Sequence, residues 1–350
     1  MENPKQVASA NKIGWHQEKI RAYLNGEVIT PVTVELDITS KCTRICEDCP
    51  SCRSPIHMNM EMSFLDNLLA SFEGQTKGVL MTGGEPTSSE NFPESLKIIR
   101  KRGIEELAVV TNGSELAKPH IADALLEHAS TIRISMYDWD ADSCGGIAPV
   151  LEKIAYLRRR VEETKSSLQI GISALTNEER VPRLNELAEK IKKAGADWIY
   201  FHPMCTGWGD AHLVPMSQIG VVQEVHAIKN KLADTDFGVH VSENRYVDTP
   251  ILFQGYHAAH FMMVVGADGK NYLGAEVKYQ PNFVIGDIHE IGVKKFLHDT
   301  KRAQNIAHVT SDNYSALKSR HRGVLYNHLL ETLKNGVEMP VVDCKFPHIL

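Results

Sequence analysis

No run in the 350 residues approaches the roughly 18 to 20 consecutive apolar residues that a membrane-spanning helix needs. The first thirty residues carry Lys5, Lys12, Lys19 and Arg21 but no apolar core, so no signal peptide is read there. An excess of basic charge is also missing. With 38 Lys and Arg against 44 Asp and Glu the formal net charge is -6, which offers no field to a nucleic-acid backbone. The short Arg158-Arg159-Arg160 cluster falls in a helical pattern and reads as a solvated face. Cysteine is sparse outside one stretch: four of the seven lie between Cys42 and Cys52, and only Cys344 lies beyond Cys205. That distribution fits a metal site in a reducing compartment, the cytoplasm, better than a disulfide framework. Neither a nucleic-acid nor a membrane partner is expected.

What is present begins with Val32–Ile38, an alternating, β-branched run with the character of a strand. It empties into a loop holding Cys42, Cys46, Cys49 and Cys52, the first three spaced C-x3-C-x2-C. Three thiolates on one short loop can hold three irons of a cubane cluster and leave the fourth iron without a protein ligand. A catalytic centre needs such an open position. Cys46-x2-Cys49-x2-Cys52 also opens like a bacterial ferredoxin run, but the fourth cysteine of that run falls at Ile56. A zinc knuckle stays open as an alternative, since C-x2-C pairs are common zinc half-sites.

A second motif, Gly83-Gly84-Glu85-Pro86, follows the strand-like run Gly78–Thr82. Its glycines allow close backbone approach and positive φ, and its proline fixes the turn into a helix. The two motifs, each at a strand's end, resemble those of the radical S-adenosylmethionine (radical SAM) enzymes over roughly Val32 to Cys205. One departure is Asp48, at a position before the third cysteine that is often aromatic in that family. The resemblance implies a [4Fe-4S] cluster on Cys42, Cys46 and Cys49 whose open iron is chelated by SAM. It implies reductive cleavage of SAM to a 5′-deoxyadenosyl radical, with electrons from an external donor such as flavodoxin or ferredoxin. Gly83, Gly84 and Glu85 would bind SAM, the Glu85 carboxylate facing its ammonium. Thr111, Asn112 and Ser135 sit where relatives bind the SAM carboxylate or ribose. For Asn112 a plain Asn-Gly turn accounts for the residues nearly as well. Ile172-Ser173 and Phe201-His202 fall where relatives cradle adenine, partly by backbone.

Strand-like runs at Val32–Ile38, Gly78–Thr82, Leu107–Thr111, Ile132–Met136, Leu168–Ala174 and Trp198–His202 alternate with helical patterns. The helices are expected at Ser63–Phe72, Phe92–Arg102, Pro119–His128, Ala148–Glu163 and Val181–Ala194. Such β-α repeats mark an α/β fold with a parallel sheet and crossover helices. Six are too few to close an eight-stranded barrel. The resemblance implies the open form, a partial (β/α)6 TIM-like barrel with a smaller C-terminal extension. The expected organisation is a helical lead-in over 1–30, the partial barrel over 31–215 and an extension covering its mouth over 216–350. Helices are expected at Ile219–Leu232 and near Ala316–Lys334, and a hairpin turning at Asp268-Gly269. The hairpin region resembles the auxiliary-cluster extension (SPASM or twitch type) of some radical SAM enzymes. Leu273 and Gly274 stand where those carry cysteine ligands, so a degenerate extension without an added cluster is expected.

Three residues are candidates for the chemistry on substrate. Tyr137 opens the Tyr137-Asp138-Trp139-Asp140 run after the fourth strand. Cys205 is a hydrogen-atom donor to a product radical or, more simply, a buried apolar filler. Glu276 belongs with Arg245, Tyr246, His257, His260 and Lys278 as polar grips in the extension. The expected substrate is a small polar molecule, sugar-, nucleoside- or aminocyclitol-like. The expected outcome is redox-neutral elimination, decarboxylation or epimerisation, in natural-product (antibiotic) biosynthesis. A peptide- or protein-modifying enzyme is the alternative, and a non-catalytic zinc- or cluster-stapled binding protein the alternative from another class.

Overall fold

The computed structural model describes residues 12–46, 49, 51, 54, 57–137, 147–203, 219–241, 243–246, 252–314, 322–336, 338 and 344–350. Ten strands run along the chain: β1 (Thr33–Asp37), β2 (Gly78–Thr82), β3 (Glu106–Thr111), β4 (Thr131–Met136), β5 (Gln169–Thr176), β6 (Trp198–Pro203), β7 (Gly238–Val241), β8 (Met262–Val265), β9 (Lys270–Tyr272) and β10 (Val284–Asp287). The fold is α/β, a partial barrel. The sheet is not closed: among the described residues β7 pairs only with β6 and β10 only with β9. The chain divides into two compact units. One draws its described residues from Ala108–Cys205 and Val214–Asp248, the other from Ala10–Leu107 and Thr249–Leu350.

In the first unit β3 to β7 pair in parallel and in sequence order. Helices Pro119–His128, Ala148–Thr164, Leu184–Lys193 and Ile219–Leu232 follow β3, β4, β5 and β6. Because side chains alternate along a strand, register partners share a face. One face carries Ile132, Ile134, Ile170, Ile172, Ile199 and Phe201, all buried, the apolar side that crossover helices cover in such folds. The opposite face carries Arg133, Ser135, Ser173, Trp198, Tyr200 and His202, placed together by the pairings Ser135↔Ser173 and Ser173↔Tyr200. At Gly171 a Cβ would lie 1.9 Å from the Trp198 ring, so glycine makes room for the indole on that face.

In the second unit the order is β10-β9-β8-β1-β2, parallel through β8, β1 and β2 and antiparallel through β8, β9 and β10. The hairpin expected at Asp268-Gly269 joins β8 to β9, with Gly269 at φ 72°. Ile13, Ile20, Phe261, Leu273, Tyr314 and Leu330 share one core with their neighbours. The terminal residues lie on the entry ends of β1 and β2. Thr33 Oγ1 donates to the His348 carbonyl at 2.6 Å, Leu350 N donates back to Thr33 Oγ1 at 2.9 Å, and Lys12 Nζ donates to the Phe346 and Ile349 carbonyls.

All six strands expected from the sequence form, with shifts of a residue or two at the ends. β7 was not expected: its run of four residues is too short to stand out from a loop. β8 also does more than make a hairpin, since its outer edge pairs with β1. Among the described residues no helix is long and apolar enough to cross a membrane.

Candidate active site

The cysteine loop leaves the end of β1. Cys42, Cys46 and Cys49 are half-buried, whereas Cys52 lies outside the described residues. The loop is pinned at its base, where Ser40 N donates to the Met58 carbonyl and Met58 N to Ser40 Oγ, both at 2.9 Å. The Arg44 amide donates to Cys42 Sγ at 3.4 Å. Hydrogen bonds to sulfur are among the features that tune iron–sulfur centres.

The glycine motif is laced onto this same base. Gly84 N donates to the Thr39 carbonyl at 2.9 Å, Glu85 N to the Lys41 carbonyl at 2.7 Å, and Ser51 Oγ to the Gly83 carbonyl at 2.7 Å. Both glycines are required. Gly83 has φ 130°, and a Cβ there would meet the Thr39 oxygen at 2.3 Å; at Gly84 it would meet the Lys41 oxygen at 1.9 Å. Glu85 is 1% exposed. Its Oε1 accepts from the amide and hydroxyl of Thr87, which caps the short turn Pro86–Ser88.

The donor set fits a cluster. Three cysteines occupy one loop, with an amide aimed at one of the sulfurs. Among the described residues no three His, Cys, Asp or Glu side chains converge as a single ion requires. Each thiolate of a cubane binds a different iron, so three cysteines on one loop suit such a cluster.

Beside the two loops lies a buried ionic network that sequence reasoning missed as a unit. Asp37, at the end of β1, has no exposure; its Oδ1 accepts from Lys278 Nζ and Thr82 Oγ1, each at 2.7 Å, and its Oδ2 from Tyr279 OH at 2.8 Å. Glu35, two residues earlier on the same face, lies 3.5 Å from Lys278 Nζ. Burial works to lower the Lys278 pKa, but Asp37 and Glu35, with Cys49 adding to them, hold it above its ordinary value. Burial and Asp37 together push the Tyr279 hydroxyl well up. The visible signal was two carboxylates at alternate positions of an otherwise apolar strand.

Four of the grips expected in the extension make contacts within the protein. Lys278 is the counter-ion of Asp37 and Glu35. Glu276 is 2% exposed and accepts the Tyr314 hydroxyl. His257 Nδ1 lies 2.6 Å from Tyr23 OH, and His260 packs against the Tyr23 ring at 5.1 Å.

In the first unit, His202 and Ser173 meet at the strand ends, Nε2 to Oγ 2.6 Å. The Tyr200 ring stacks on the imidazole at 5.3 Å, and Tyr137 meets it edge-on at 6.1 Å. Burial, with Arg245 and Arg133 adding to it, holds the His202 pKa well below the usual value, so the ring is neutral. Ser135 shares this polar face and is half-buried. Thr111 and Ile172 sit on the apolar face. Thr111 Oγ1 accepts from Gly113 N, Asn112 Oδ1 accepts from Ser114 N at 2.9 Å, and the Ile172 side chain is fully buried in a strand paired on both sides. Cys205 and the Asp138–Asp140 run lie outside the described residues.

Residues 36–162 match the family model described as the radical SAM superfamily. The chain is 28% identical over 137 residues to a "Probable GTP 3′,8-cyclase" of Metallosphaera sedula, a match covering 37% of this chain and 42% of that protein. It therefore spans less than half the length of that curated relative. Among solved structures it resembles Streptococcus suis SuiB bound to the precursor peptide SuiA, at TM-score 0.61 and 14% identity over 87% of this chain and 74% of that one. It also resembles anSMEcpe with bound AdoMet, at TM-score 0.57 and 13% identity over 87% and 100%. At such identities the likeness is one of fold. The motif-bearing segment supplies what fold alone does not: residues 36–162 match the radical SAM superfamily, whose cofactors are a [4Fe-4S] cluster and S-adenosylmethionine.

Proposed function

We propose that the chain is an enzyme that cleaves S-adenosylmethionine reductively and takes hydrogen from a small polar substrate. The observation that carries this is the seam between the two motifs: three cysteines on a loop whose base is the hydrogen-bonding partner of Gly84 and Glu85. When bound, the cluster and SAM supply a 5′-deoxyadenosyl radical, the reagent that abstracts hydrogen.

The chain's own residues do the remainder. Cys42, Cys46 and Cys49 would hold three irons, and Gly83 and Gly84 present backbone where no side chain fits. Glu85, fixed through Oε1, would face the SAM ammonium. Within the first unit, the hydroxyls of Ser135 and Ser173 and the neutral His202 ring stacked on Tyr200 make a polar, flat-surfaced face whose chemistry suits a nucleoside. Tyr137 is assigned to the substrate. A buried, fixed scaffold matters because a primary carbon radical attacks almost any adjacent C–H bond, and orientation selects the hydrogen taken.

For the substrate class we favour a nucleoside- or sugar-like molecule and a redox-neutral outcome. Support comes from the curated relative, named for GTP. A peptide substrate is the second reading, favoured by the fold likeness to SuiB, whose structure holds a precursor peptide. The test is anaerobic incubation of the reconstituted protein with SAM and dithionite, following 5′-deoxyadenosine. Wild type should release it, and Cys42→Ala should lose both the cluster absorbance and more than about 90% of the release, as expected when a ligand of the metal goes. Normal cleavage by Cys42→Ala, or bound zinc and no SAM turnover in wild type, would refute the assignment. Nucleotides, sugars and short peptides can then be ranked by how far each accelerates the release.

A further inference from the structure

Lys278 enters the second unit from a segment far along the chain and ends fully buried against β1. Its ammonium shares Asp37 with Thr82, and Thr82 is the residue immediately before Gly83. Asp37 in turn is two residues before Thr39, which holds Gly84, and four before Lys41, which holds Glu85. The ammonium is thus tied by hydrogen bonds to the base of the cysteine loop and of the glycine motif together. It also lies within electrostatic reach of Cys49. In this dry setting it faces two carboxylates, Asp37 at 2.7 Å and Glu35 at 3.5 Å, so the group carries one positive and two negative charges when ionised.

We propose that Lys278 and Asp37 are positioning residues that set the electron affinity of the cluster held by Cys42, Cys46 and Cys49. Reduction adds one electron to the cluster. A fixed positive charge nearby favours the reduced form, and a fixed negative charge disfavours it. Lys278 supplies the first and Asp37 the second, and their pairing locks both at one distance from the loop. The C-terminal part of the chain thereby contributes to the ease of the first electron transfer while touching no substrate. This rests on the cluster assignment made above.

The test is a potentiometric titration of the reconstituted full-length protein, following the reduced cluster by electron paramagnetic resonance. Lys278→Met removes the cation and should move the midpoint to more negative potential. Asp37→Asn removes the anion and should move it to more positive potential. Each shift should change the reduced-to-oxidised ratio at fixed potential by about tenfold, the size of a unit-charge effect over roughly 12 Å at an effective dielectric constant near 20. Opposite signs are diagnostic, because loosening of the loop would move both variants the same way. Should Lys278→Met fail to fold, Asp37→Asn decides alone: a positive shift supports the proposal and no shift or a negative one overturns it. Two shifts of one sign, or none, also overturn it and leave the cluster assignment standing. A wild-type protein that takes up no cluster refutes that assignment, and the proposal with it.

Discussion

At the scale of single residues, the second unit draws carboxyl groups partly or wholly out of water, and the half-buried Glu106 shows the consequence away from the candidate site. Its carboxyl accepts the His348 amide at 2.8 Å, and burial raises its pKa to about 7. The folded chain therefore keeps that proton between about pH 4.5 and 7, where the unfolded chain has released it. The folded state binds more protons across the window, so this group's contribution to stability falls as pH rises through it. Glu106→Gln keeps an acceptor for the amide and removes the titration. Its melting temperature should exceed that of wild type by about 2–4 °C at pH 8 and match it at pH 5. An equal gain at both pH values would show that charge is not the cause.

At the scale of elements, the strands of the first unit depend on a trade between large and small side chains. Trp198 on β6 crosses to Gly171 on β5, their registered partner positions, and no Cβ fits beneath the ring. Gly171→Ala should destabilise the protein by about 1–3 kcal/mol, the usual cost of overpacking. Trp198→Leu in the same chain should recover part of that loss, read by chemical denaturation; full additivity of the two changes would count against the contact. Elements were also where the sequence was most legible. Helices Pro119–His128 and Ile219–Leu232 have the bounds their apolar spacing predicts. The helix expected from Val181 instead begins at Leu184, after a tighter turn over Glu178–Arg183 that contains Pro182. Proline lacks the amide that an α-helix interior needs, so the chain turns more tightly there first.

The site was less legible than the fold, for a physical reason. Cys42, Cys46, Cys49 and the two glycines announce themselves because their chemistry has few substitutes. Lys278 and Tyr279 do not: their meaning comes from Asp37, 241 and 242 residues away along the chain, and nothing in the local pattern points across that gap. Thr111 and Asn112 carry the right chemistry for a ligand, but in the structure their side chains accept from amides of the following turn.

At the scale of the whole molecule, several histidines are buried in their neutral form. Burial lowers His16 and His257 to about 4 and His260 to about 3. The unfolded chain protonates such groups near pH 6.5, so below that value it binds more protons than the folded one. Stability should therefore decline steadily as pH falls from about 6.5 toward 4. Replacing His257 and His260 with Gln should flatten that slope in thermal melts, and an unchanged slope would assign the acid sensitivity to other groups.

The seam between the glycine motif and the chain leading to the cysteines has one more consequence. Thr39 and Lys41 meet Gly84 and Glu85 through backbone atoms, so the joint does not depend on which side chains those two residues carry. Beyond the cysteine loop and its Met58 joint, the part of the excursion between them that forms the helix Met62–Ala70 is free to vary in length as long as β1 and β2 stay in register. Replacing the helix Met62–Ala70 by a foreign helix with a like apolar face, while Cys42, Cys46, Cys49 and the Ser40–Met58 joint are kept, should thus leave iron loading intact, whereas a one-residue slip between β1 and β2 would unbutton both motifs at once.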